Sequence, residues 1–88
     1  MMNYKSTTDV LRNAGYVLTN TCHMDGVTYH DFNARKRDAS VSLIVDESTG
    51  SVERVEVSSR KWDDKSGRYA IVKQNLYSLV DVLNLFKR

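Results

Sequence analysis

Apolar and polar residues alternate through most of this chain, and the period lengthens to that of a helix only near the two ends. At the first end, Val10, Leu11 and Ala14 form a short apolar stripe behind Ser6-Thr7-Thr8-Asp9. A serine hydroxyl can accept from the amide three residues on, and an acid in the first turn complements the helix dipole, so a helix start is predicted at Ser6. Gly15 suits the left-handed position that closes a helix, with Tyr16 packing back on Leu11. About two turns of helix need tertiary packing to persist.

From Tyr16 the period is two. Tyr16–Cys22 reads as a strand, Met24-Asp25-Gly26 as a hairpin turn, and Val27–Ala34 as the second strand. Arg35-Lys36-Arg37-Asp38 turns the chain. Ala39, Val41, Leu43 and Val45 then alternate with Ser40, Ser42 and Ile44 along a third strand with one core face. Asp46–Gly50 is a polar turn, and Val52–Val57 a fourth strand that sets Val55 and Val57 against Arg54 and Glu56.

The tail supports two patterns. Leu76, Leu79, Leu83 and Phe86 share one helical face, and Asn75 can cap it. The 3-4 spacing extends back to Tyr69, but Arg68-Tyr69-Ala70-Ile71-Val72 is rich in strand formers and follows a good turn at Asp63–Gly67. The spacing therefore predicts a fifth strand and a helix from about residue 75. The expected architecture is one α+β domain over residues 1–88. It is an antiparallel meander of four or five strands, with a short N-terminal helix and an amphipathic C-terminal one, both on one sheet face.

Composition narrows the functional classes. With 88 residues there is length for one core only. No apolar run approaches the roughly 18 residues that span a bilayer. Met1–Lys5 lacks the apolar block of a signal peptide, so a cytoplasmic location is expected. Cys22 is the sole cysteine, which excludes an internal disulfide. Thirteen basic against 11 acidic residues leave a net charge of +2, too balanced to declare a nucleic-acid partner from the total.

Reactive groups are sparse. Cys22 and His23 are neighbours and must point to opposite faces of a strand, which works against a shared zinc site with His30. The acidic pairs Asp46-Glu47 and Asp63-Asp64 fall in turns, where carboxylates are solvated. There is no phosphate-binding glycine loop and no nucleophile elbow. The expectation is a chain without catalytic residues, metal or cofactor.

Basic residues concentrate instead in two loops. Arg35, Lys36 and Arg37 lie in one; Arg60, Lys61, Lys65 and Arg68 surround Trp62 and the acids Asp63 and Asp64 in the other. Turns after the second and fourth strands of a meander lie at one sheet end, so the two loops can form one mixed-charge patch with Trp62 as anchor. Tyr4, Tyr29, Tyr69 and Tyr77 read as half-buried.

In layout, a helix ending in Ala14-Gly15-Tyr16, a strand meander with Tyr29-His30, and a last helix resemble the HicA-type mRNA interferase toxins. That resemblance implies a double-stranded-RNA-binding-like fold and ribonuclease chemistry at His30, although Val27-Thr28-Tyr29 replaces the family's Gly-Ser-His segment. The residues themselves point to a small binding protein acting through protein contacts. Its style is that of a phage or mobile-element inhibitor of a host defence nuclease, with a nucleic-acid-handling enzyme as partner. Direct nucleic-acid binding is the alternative.

Overall fold

Asn3, not Ser6, opens the first helix in the computed structural model, which describes residues 2–36 and 38–86. Its extended backbone and its side-chain oxygen, 3.0 Å from the Ser6 amide, make it the N-cap. α1 accordingly spans Tyr4–Asn13. The earlier start has a physical cause: Thr7 and Thr8 face the core, with their hydroxyls donating to the carbonyls of Asn3 (2.7 Å) and Lys5 (2.9 Å). Bonded back to their own helix, they can be buried without an orphaned group. Leu11 and Ala14 continue that buried face. Gly15 closes the helix at φ 94°, with its amide on Arg12 and the Tyr16 amide on the Leu11 carbonyl, both at 2.9 Å. Only glycine adopts that conformation without strain.

The sheet is a five-stranded antiparallel meander: β1 (Val17–Met24), β2 (Val27–Asn33), β3 (Ser40–Asp46), β4 (Val52–Asp63) and β5 (Arg68–Leu76), paired in chain order. α2 spans Leu79–Phe86 and meets α1 on the same sheet face. The α+β meander expected from the period of two is therefore the observed architecture, with the fifth strand present.

Alternation divides each strand between a helix-covered face and an open face. Phe32, Val41, Leu43, Val55, Val57 and Leu76 point to the helices and form the core with Leu11, Tyr16, Val82 and Phe86. Tyr16 and Phe86 meet edge to face at 5.3 Å, tying α2 to the end of α1. Ile44 is the exception on the open face: it is fully buried there, in register with Tyr29 and Arg54.

The tail differs from the helix expected at residue 75. Leu76 ends β5, paired with Val55, and is buried from the strand. Ser78 rather than Asn75 caps α2, its hydroxyl accepting from the Asp81 amide at 3.2 Å. The later start rotates the helix, so Val82 is buried while Leu83 is 46% exposed. The 3-4 spacing from Leu76 was coincidental, because two different elements supply its members. β4 also runs on past Val57 to Asp63.

Candidate functional site

The outer halves of β4 and β5 project beyond the rest of the sheet. Ser40↔Ser58 is the last β3–β4 pair, whereas β4–β5 pairing continues from Ser59↔Val72 to Asp63↔Arg68. Those five further residues of β4 extend the hairpin by about 16 Å at the usual rise of a strand. The tip is closed by Asp63, whose carboxylate accepts from the Lys65 amide (3.0 Å) and the Ser66 hydroxyl (3.2 Å). Gly67 at φ 70° donates its amide to the Asp63 carbonyl at 2.9 Å. Asp63 is thus a turn-forming residue, while Asp64 and Lys65 stand exposed at the tip.

Alternation splits the basic cluster that is contiguous in sequence. Arg60 and Trp62 point to the open face, and Lys61 points to the helix side, where it borders a cleft with Asp38, Val72 and Phe86. Arg68, paired with Asp63, also belongs to the helix side. On the open face, Trp62 is paired with Tyr69 and Arg60 with Ile71. The Trp62 and Tyr69 rings meet edge to face at 5.2 Å, and the Arg60 guanidinium lies over the Tyr69 ring at 5.3 Å. Despite these contacts, Trp62, Tyr69 and Ile71 are 55%, 61% and 71% exposed. Tyr69 and Tyr77 are therefore surface residues rather than half-buried ones, whereas Tyr4 and Tyr29 are half-buried.

The β2–β3 loop lies at the same sheet end, below the overhang. Asp38 reaches Arg60 at 3.7 Å, a pair exposed on both sides and worth at most about 1 kcal/mol. Arg35 and Lys36 are exposed; Arg37 lies outside the described residues. Arg35 turns toward β1, beside Gly15 and Val17, so it stands apart from the Trp62 cluster.

Alternation along β1 sets Cys22 and His23 on opposite faces. Cys22 is exposed on the open face opposite Tyr29, and His30 lies on the helix side, edge to face with Tyr4 at 5.1 Å. Among the described residues, no group of three His, Cys, Asp or Glu side chains converges as a metal site. At the far end of the sheet, His23 Nδ1 lies 3.0 Å from both Glu47 Oε1 and Thr28 Oγ1, and the Thr28 hydroxyl donates to Glu47 at 2.9 Å. Among the described helices, none is long and apolar enough to cross a membrane.

These contacts predict acid sensitivity. Burial, aided by the His23 charge and opposed by Asp31, holds the His30 imidazole below its ordinary 6.5. Hydrogen bonds from His23 and then Thr28 hold the Glu47 carboxyl below 4.5, and those from the Ser48 hydroxyl and amide hold Asp46 below 3.8. In each case the unfolded chain takes up the proton first as pH falls. Stability is therefore full above the ordinary value and lost as pH drops through the folded one. Thermal midpoints should be level above about pH 7, fall modestly below 6.5 and fall again below 4.5. His30→Asn should flatten only the upper step; a midpoint unchanged from pH 7 to 4 would contradict the assignment.

Compared with protein-family models, curated proteins and solved structures, the chain finds no match in any of the three.

Proposed function

We propose that this chain is a non-catalytic binding protein whose partner is another protein, held by the open face of the overhanging β4–β5 hairpin. The observation that carries this reading is the exposed cluster of Trp62, Tyr69, Arg60 and Ile71 on a projection that the core does not use. Trp, Tyr and Arg are the residues in which interface energy concentrates. Their mutual contacts hold the rings in place before binding, which lowers the entropy lost on association.

Charge favours a protein partner over nucleic acid. Around the open-face cluster, Arg60 is accompanied by exposed Asp64 and Lys65 at the tip and by Lys73, which pairs with Glu56 at 3.5 Å. A phosphate backbone would meet those carboxylates, whereas a mixed-charge protein rim would match them. The partner class we favour is a nucleic-acid-handling enzyme, blocked sterically as by a mobile-element inhibitor of host defence. The cytoplasm is the compartment where such a partner would be met. A second reading, single-stranded nucleic acid stacked on Trp62 and Tyr69, draws on the same exposed rings.

Immobilised protein and host lysate separate the two. Nuclease-resistant retention of a defined protein, with weak salt dependence, is the result expected here. Retention that vanishes with nuclease and falls steeply with salt would establish the nucleic-acid reading instead.

A further inference from the structure

At the opposite edge of the sheet, β1 has no neighbour beyond it among the described residues, and all eight of its residues are exposed. An edge strand leaves alternate N–H and C=O groups facing outward as a template for another strand. Such edges are usually guarded by Lys, Pro or charged residues. The sequence VLTNTCHM contains no Lys, Arg, Asp, Glu or Pro, and only an irregularity between Leu18 and Asn20 interrupts its ladder. Val17, Leu18 and Met24 add large exposed apolar side chains. The other edge, β5, carries Arg68 and Lys73.

The charges flanking β1 are polarised along it. Beside its C-terminal end stand Asp25 in the following turn and Glu47, hydrogen-bonded to His23. Beside its N-terminal end stand Arg12 in the last turn of α1 and Arg35, grouped with Gly15 and Val17. A second β1 laid antiparallel would bring the acidic end of each copy to the basic end of the other. A parallel mate would set Glu47 near Glu47 and Arg35 near Arg35.

We infer that β1 is a self-association edge, and that its occupant is a second copy of this chain paired antiparallel across a two-fold axis at Thr21, which sets Asn20 of each copy beside Cys22 of the other on the open face. The outward backbone groups complete a ladder, and the charges select its direction. The contact is isologous and closes at two copies. It yields one ten-stranded sheet about 48 Å wide at the usual strand spacing, with all four helices on one face. Both hairpin clusters remain free at its outer edges, so the pair is bivalent toward the partner proposed above.

Cys22, the sole cysteine, lies close to that axis and reports on it without any substitution. In wild-type protein at about 100 µM, where a micromolar dimer is mostly formed, sedimentation equilibrium should give twice the chain mass. A short bismaleimide should link Cys22 to Cys22. Asn20→Lys and Asn20→Glu each place like charges across the axis and should weaken self-association about tenfold. An equimolar mixture of the two should recover it as the heterodimer. A monomeric mass at that concentration overturns the inference, as does a dimer in which Cys22 fails to cross-link.

Discussion

Replacing Phe32 by alanine should remove about 3–5 kcal/mol of stability, a large share of the roughly 5–15 kcal/mol a domain commonly has. Phe32 is wholly buried on the helix-covered face, in register with Leu18 on one side and Val41 on the other. It belongs to the same core as Leu11 and Tyr16, so truncation leaves a cavity where the sheet meets α1. For a domain of this size the loss corresponds to a fall of roughly 15–30 °C in midpoint. The comparison that gives the number meaning is Leu83→Ala. Leu83 is also a large apolar residue, but it lies outside the core at 46% exposure, and its truncation should change stability by less than about 0.5 kcal/mol. Urea unfolding followed by circular dichroism measures both. Equal effects at the two positions would contradict the rotation of α2 described above.

Leu83 also shows where sequence periodicity stops being decisive. The central strands were legible because one face of each is buried, which favours apolar residues at every second position, as in Val41, Leu43 and Val45 of β3, whereas β1 and the outer part of β5 are exposed throughout. Gly15 was legible because a backbone conformation at positive φ costs little only for glycine. Around residues 72–79 both periods fit the same apolar residues, and tertiary pairing of Leu76 with Val55 made the choice. The N-terminal cap was misplaced for a related reason: Ser6, Thr7 and Thr8 all have capping side chains, and only the position of the core shows that two of them face inward.

The candidate site was half visible. Trp62 stands out as an aromatic residue in a polar stretch, but contiguity in sequence makes the basic residues beside it look like one patch. Extension of β4 to Asp63 imposes alternation on them and sends Lys61 to the other side from Arg60 and Trp62. The residues that do join Trp62 come from across the hairpin. The turn at Asp63–Gly67 held the signal, since a four-residue connection between Asp63 and Arg68 places Tyr69 opposite Trp62 and Ile71 opposite Arg60. Edge charges such as Arg35 depend on how loops fold over, for which a single sequence carries little information.

Loss of the Trp62 ring should therefore have the largest effect on binding. Trp62→Ala is expected to weaken the partner complex by at least 30-fold, about 2 kcal/mol, measured by calorimetry or surface plasmon resonance. The fold should scarcely notice, because the ring is 55% exposed and its contacts are with the equally exposed Tyr69. Tyr69→Ala should weaken binding less by itself. The double variant should lose less than the sum, because Tyr69 acts partly by fixing the Trp62 ring. Asp63→Ala offers a different route to the same surface: without its carboxylate the Lys65 amide and Ser66 hydroxyl lose their acceptor, and the tip loosens. Its effect on affinity should consequently grow with temperature, while that of Trp62→Ala should vary little. Full affinity in the Trp62→Ala protein would remove the hairpin from the interface and point instead to the rest of the sheet's open face.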